Sequence, residues 1–242
     1  MRHKKPSINE IYHVYNRGVD KRVIFTSSEE YSYFLHALYI FNSEVSKQNV
    51  SRKFKNDSIT KPNTSSNNEG GPTSIIIEKM NDEKLVEVLA FVLLPNHYHL
   101  LLRQVTDNGI SKFMQKIGTG YTMFFNEQHC RSGSLFQGKY KFVHIQNQNQ
   151  LFYIPHYIHL NPIQHMLNTS TETEDVLEYL YNFKWSSFQN YVGKKNFTSI
   201  LNIFSIRNLF SNEKDYIKDI KNIIIDKQKF KHLDNDILID FV

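Results

Sequence analysis

The sequence predicts an α+β fold: one antiparallel sheet with its helices packed on one face, followed by a mostly helical C-terminal extension. Three observations carry that expectation. Segments of strand and helix character follow one another as strand, helix, two strands, helix, strand and helix, an order that builds a two-layer sandwich. The pair of apolar runs Val92-Leu93-Leu94 and Leu100-Leu101-Leu102 is joined through Pro95-Asn96, which is turn chemistry. After about residue 165 the pattern changes to polar, acidic and amphipathic helical stretches. We therefore divide the chain into residues 1–165 and a C-terminal extension, 166–242.

Ile11-Tyr12-His13-Val14-Tyr15-Asn16 is β-branched and aromatic and ends at Arg17-Gly18, so it is the first strand. Ser28 with Glu29 and Glu30 starts a helix, and Tyr31, Phe34, Leu35, Leu38 and Phe41 recur on one side of it. Residues 46–73 are rich in Asn, Ser, Thr and Lys with few apolar anchors, and are expected to be a disordered insertion. Strand material follows at 73–80 and 85–94; the second run is apolar on both faces, which predicts a central strand. Ile110, Phe113, Met114, Ile117, Tyr121, Phe124 and Phe125 repeat at helical period, although Gly118 and Gly120 weaken the middle. Leu135 to Ile145 alternates as a last strand, with Lys139 and Lys141 toward one face. Gln148 to Leu160 is a third helix, closed by Asn161-Pro162 because the residue before proline avoids helical geometry. Farther on, Trp185 sits in an apolar stretch, and Ile217, Ile220 and Ile224 mark an amphipathic helix.

Composition narrows the class. The chain has 242 residues, 40% hydrophobic and 14% aromatic, enough for a substantial core. No apolar run reaches transmembrane length and the first residues lack the apolar segment of a signal peptide, so a cytoplasmic location without membrane attachment is expected. Cys130 is the only cysteine, which excludes an internal disulfide and a cysteine-based zinc cluster. The net charge is +5 and the basic excess lies in the first 165 residues; from Gln128 through Thr171 there is no acidic side chain. That span tolerates a polyanion, or is simply a solvated basic face.

Along a strand successive side chains alternate, so His97 and His99 emerge on one face while Tyr98 and Leu100 point the other way. Paired imidazoles are either half of a divalent-metal site awaiting a third ligand or two hydrogen-bonded structural residues. In the third helix Tyr157 and Asn161 are four apart, which places a phenol and a carboxamide one turn apart on one face. They supply a nucleophile and a third ligand, or a packed tyrosine and a helix-ending asparagine. Pro155 removes a helical hydrogen bond two residues earlier, so the helix either kinks or starts there.

In combination these parts resemble a known family, the single-tyrosine HUH transposases, and within it the REP-associated tyrosine transposases. Tyr12-His13-Val14 with Asn16-Arg17-Gly18 and Ile24-Phe25 resembles the family's opening, and Leu94-Pro95-Asn96-His97-Tyr98-His99-Leu100-Leu101-Leu102 its His-hydrophobic-His strand. Tyr121 to Asn126 and Gly133-Ser134-Leu135-Phe136-Gln137-Gly138-Lys139-Tyr140-Lys141 are similar to its middle signature. Tyr157-Ile158-His159-Leu160-Asn161-Pro162-Ile163 is similar to its nucleophile helix, and Lys184-Trp185-Ser186-Ser187 to a downstream element. The insertion at 46–73 is a departure from the pattern.

The resemblance implies a ferredoxin-like sheet as the HUH endonuclease core, and cleavage and rejoining of single-stranded DNA that carries a hairpin repeat, by a monomer or homodimer. Tyr157 is the expected nucleophile, leaving a 5′-phosphotyrosine and a free 3′-hydroxyl. His97, His99 and Asn161 are the expected ligands of Mg2+ or Mn2+, which answers the weak nucleophilicity of a phenol by making the phosphate more electrophilic. Arg17, Arg131, Lys139 and Lys141 are candidate phosphate contacts. No general base is evident; His156 and His159 are the nearest imidazoles in sequence. Two other classes remain in view: a domesticated protein that binds DNA or RNA hairpins without cutting, and an unrelated metallohydrolase in which water attacks.

Overall fold

A computed structural model describes residues 5–43, 84–167, 172–210 and 212–229. The expected insertion at 46–73 and the strand expected at 73–80 lie outside the described residues. The sheet consists of β1 (Ile11–Arg17), β2 (Val86–Leu94), β3 (His97–Gln104) and β4 (Lys141–His144), in the spatial order β2-β3-β1-β4 with every pair antiparallel. Between the strands run α1 (Ser28–Ile40) and α2 (Gly109–Gln128), and after β4 comes α3 (Gln148–Leu160). The C-terminal part adds α4 (Gln164–Leu167), α5 (Thr173–Asn182), α6 (Phe188–Tyr191), α7 (Phe204–Arg207) and α8 (Glu213–Lys229). Among the described residues no helix is long and apolar enough to cross a membrane.

The first core lies on the sheet face that carries Tyr12, Val14, Tyr98, Leu100 and Leu102, covered by Phe34 and Leu38 of α1 and by Phe113, Ile117 and Tyr121 of α2. These two helices form the expected one-face layer. The third helix differs: Ile154, Tyr157 and Ile158 of α3 pack with Leu101, Val92 and Leu94 on the opposite face, and α5, α6 and α8 extend that second core through Leu177, Phe188 and Ile220. Helices therefore cover both faces. The reason is in the alternation, because the face opposite Tyr98 and Leu100 carries polar and apolar side chains that only a further layer can bury.

Helix α1 starts one residue earlier than the acidic pair suggests, since Ser27 is the cap whose hydroxyl accepts from the Glu30 N–H at 3.3 Å. In α2 the two glycines have different causes. A Cβ on Gly120 would lie 2.7 Å from the Phe41 ring, whereas one on Gly118 would meet nothing within 4 Å. Gly118→Ala is therefore expected to stabilise the fold by about 0.5–1 kcal/mol, because only the entropic cost of glycine in a helix is removed. Gly120→Ala is expected to lower the melting temperature, and thermal unfolding of both variants separates the two effects.

β2 was expected to be central but is an edge strand of the four. Its edge is covered by the C-terminal part: Leu93 N–H donates to the Trp185 carbonyl, Ser187 N–H to the Phe91 carbonyl and Asn202 N–H to the Val88 carbonyl. That cover explains an edge run that is buried on both sides. A bulge between Val88 and Ala90 shifts the alternation, so that Ala90, Val92 and Leu94 fall on the second face. β4 is shorter than the expected strand from Leu135. Gly138 takes φ +77 and Phe136 makes an isolated bridge to Gly18, so the preceding residues form a turn that buries Leu135 and Phe136 in the first core.

Candidate active site

On the second face, the register sets His99 beside Tyr15 and Tyr15 beside Lys141, while Arg17 pairs with His97 and His13 with Leu101. Paired residues on adjacent strands point to the same face, so His13, Tyr15, Arg17, His97, His99 and Lys141 share one surface. Helix α3 lies over it. The Tyr157 ring meets His99 edge-on at 5.8 Å between centroids and His13 edge-on at 5.7 Å, and Tyr157 is only 5% exposed. Tyr157 and the imidazoles of His13 and His99, far apart in sequence, thus meet on this face.

Each histidine is held through one ring nitrogen. His97 Nδ1 lies 2.6 Å from Asn96 Oδ1, and the turn that carries Asn96 is itself fixed, since Gly18 N–H donates to the Asn96 carbonyl and the Ile24 and Phe25 N–H groups to the Pro95 carbonyl. His99 Nδ1 lies 2.8 Å from His13 Nε2, with the two rings stacked at 5.0 Å. Burial pushes His13 and His97 down to about 4, with Arg17 adding to the effect at His97; His99 is held well below the ordinary value by burial, then by His13, His97 and Arg17. All three are neutral at pH 7 and able to offer lone pairs.

Helix α3 is capped by Asn147, whose side chain accepts from the Gln150 N–H at 2.9 Å, and runs unbroken through Pro155. Tyr157 therefore lies in the last turn, not at a helix N-terminus. Asn161 caps that turn: its Nδ2 donates to the Tyr157 carbonyl at 2.8 Å, which leaves Oδ1 with a 3.4 Å contact from Gln164 Nε2. Burial raises the Tyr157 phenol above its ordinary range; the Asn161 carboxamide opposes this, and the phenols of Tyr153 and Tyr15 add to it.

Among the described residues no three His, Cys, Asp or Glu side chains form a metal-binding group. His13 is the third imidazole of the cluster, but its Nε2 is taken by His99. A divalent cation on this face would have the Nε2 atoms of His97 and His99 as nitrogen donors, and Asn161, bonded to the Tyr157 carbonyl, carries a neutral carboxamide oxygen on the helix that lies over them. Two neutral nitrogens and one oxygen suit an ion that must also accept phosphate oxygens.

The basic residues divide. Arg17 and Lys141 stand on the histidine face, and Lys139 is exposed in the turn before β4. Arg131 does not join them: its guanidinium donates to Asn126 Oδ1 and to the Ser134 carbonyl and sits 5.8 Å over the Phe125 ring, which pins the end of α2.

His156 and His159 do not serve Tyr157 as bases. His159 Nδ1 is 2.6 Å from the Tyr216 hydroxyl and its Nε2 2.7 Å from Ser187 Oγ, which in turn accepts from the Phe91 N–H. His156 Nδ1–H donates to the Phe152 carbonyl at 2.8 Å, its ring stacks on Tyr216 at 4.4 Å between centroids, and its Nε2 lies 3.9 Å from Asp219 Oδ2. Together they link α3 to α6, through His159, and to α8. Burial lowers both imidazoles; His156 lowers His159 further, and Asp219 only partly offsets the effect at His156. A histidine neutral in the fold but free to protonate when unfolded lets the unfolded chain take up protons first, so stability is full above the ordinary value of about 6.5 and falls as pH drops below it. Thermal melts at pH 7.5 and 5.0 are expected to show a lower melting temperature at pH 5.0, the loss growing by at most about 1.4 kcal/mol per histidine for each pH unit below the ordinary value.

His13 is the residue that sequence reasoning passed over. Its signal was present, since the alternation that pairs His97 with His99 also puts His13 and Tyr15 on one face of β1.

Residues 63–161 match the family model described as "Transposase IS200 like". The chain is also similar to a solved structure described as "Structure of the REP associates tyrosine transposase bound to a REP hairpin", with 14% identity, a TM-score of 0.48, and coverage of 84% of this chain and 92% of that one. No curated protein matches the chain.

Proposed function

We propose that this protein is a metal-dependent single-stranded DNA endonuclease and strand transferase of the transposase type, in which Tyr157 is the nucleophile. The observation that carries the proposal is the Tyr157 ring set edge-on against His99, with Asn161 one turn beyond on the same helix. Residues 1–165 act as the catalytic unit, and the described helices that follow, through Leu177, Phe188 and Ile220, hold α3 against the sheet.

In the reaction the Tyr157 oxygen attacks the scissile phosphorus and gives up its proton. A phosphorus–phenol bond forms, the bond from phosphorus to the 3′ oxygen breaks, and the departing 3′ oxygen takes a proton to become a free hydroxyl. The DNA remains joined to the protein as a 5′-phosphotyrosine, so rejoining by a 3′-hydroxyl needs no ATP. Burial holds the phenol protonated until substrate arrives, and Arg17 and Lys141 on the same face, with Lys139 beside them, contact the backbone phosphates. His97, His99 and Asn161 would hold a divalent cation, magnesium or manganese, which when bound would polarise the scissile phosphate and offset the charge that builds on its oxygens. The partner is single-stranded DNA with a hairpin repeat, as the resemblance of the five ordered sequence blocks implies.

The test is covalent capture. Incubation with hairpin-bearing single-stranded oligonucleotides and Mn2+ is expected to give a protein–DNA adduct that peptide mapping assigns to residue 157. An adduct on another residue, or hairpin binding with no adduct under any divalent metal, rejects the assignment.

A further inference from the structure

We propose that His13 is a positioning residue of this site: its Nε2 accepts the Nδ1–H of His99 and thereby keeps the Nε2 lone pair of His99 directed at the cation. The proposal rests on the metal-dependent reading above. The 2.8 Å contact between His13 Nε2 and His99 Nδ1 has two arrangements. If His13 donates, the remaining proton of His99 sits on Nε2 and no lone pair faces the site. If His99 donates, Nε2 is open. His97 already has the second arrangement, because its Nδ1 faces the Asn96 carboxamide oxygen at 2.6 Å, an acceptor. A ligand histidine whose other nitrogen is bonded to a neighbour is fixed in both tautomer and ring orientation.

The fold gives His13 no structural reason to be an imidazole. It is 1% exposed, on a strand flanked on both sides by β3 and β4. Its Nδ1 has no hydrogen-bond partner, so either tautomer leaves one buried ring nitrogen unmet. A phenylalanine would fill the same space between Tyr15, His99 and Tyr157 without that unmet group. What phenylalanine lacks is the acceptor for His99.

The test uses the full chain with three readouts. In Mg2+-saturated wild type labelled with 15N at histidine, NMR is expected to find His13 and His99 both protonated on Nδ1; a proton on Nε2 of His13 overturns the proposal. Calorimetry with Mn2+ is expected to show His13→Phe binding about 10–100-fold more weakly than wild type, while His13→Gln, which retains an acceptor, stays close to wild type. His13→Phe with wild-type Mn2+ affinity overturns the proposal, even if its melting temperature changes. Should His13→Phe not fold, the tautomer of wild-type His13 decides. His97→Ala separates the two levels: if wild type and His97→Ala bind Mn2+ equally, the metal reading itself fails, and if only His97→Ala loses affinity, His13 alone is rejected.

Discussion

Tyr157→Phe is expected to abolish the covalent protein–DNA adduct, a loss of about 10^4-fold or more of the kind seen when an enzyme's nucleophile is removed. The substitution deletes one oxygen and keeps the ring, so the edge-on contacts to His13 and His99 and the packing against β2 and β3 persist. Folding should be unchanged, as circular dichroism and a thermal melt will show. A loss of adduct in a well-folded variant then belongs to chemistry. The other classes give different results in the same assay. A metallohydrolase that activates water would still cut DNA in the Tyr157→Phe variant, and a hairpin-binding protein would give no adduct even as wild type. Equal adduct from both proteins rejects Tyr157 as the nucleophile.

His97→Ala is expected to reduce adduct formation by about 10^2-fold or more at limiting Mn2+, with part of the loss recovered at high Mn2+. The reasoning is electrostatic: stabilising charge on a phosphate in transit is worth about 10^2–10^3 in rate for a single well-placed group. His97 is the better probe of the two ligand histidines. It is partly exposed at the start of β3, whereas His99 is buried in the middle of the sheet with His13, where truncation also leaves a cavity. A titration of adduct yield against Mn2+ is the measurement. Superimposable curves for wild type and His97→Ala would reject a metal role for this face.

Much of the architecture was legible because it depends on local pattern. The extent of α3 from Gln148 to Leu160 was legible from sequence, although proline is not what ends it: Asn161 keeps helical geometry before Pro162 and the chain runs on through a 3-10 turn, Asn161–Ile163. The shared face of His97 and His99 follows from strand alternation alone. What was not legible depends on partners distant in sequence. β2 reads as a central strand because it is apolar on both sides, yet it lies at an edge, and the backbone of Trp185, Ser187 and Asn202 supplies the missing neighbour. The placement of α3 on the second face could be argued only from the need to bring Tyr157 to the histidines. Arg131 looked available for phosphate because charge can be read from sequence, whereas its engagement by Asn126 and Ser134 cannot. His13 needed pairing information: only the register of β1 against β3 reveals that it faces His99.

The two sides of β3 have a consequence for how such a chain can diverge. Tyr98, Leu100 and Leu102 answer to the first core, where many apolar replacements of similar volume are tolerated. On the function proposed here, His97 and His99 answer to reaction chemistry, where element identity and lone-pair direction leave almost no substitutes. On that reading an apolar exchange at Tyr98, Leu100 or Leu102 costs packing alone, whereas any exchange at His97 or His99 costs reactivity, so one strand carries two different kinds of mutational tolerance.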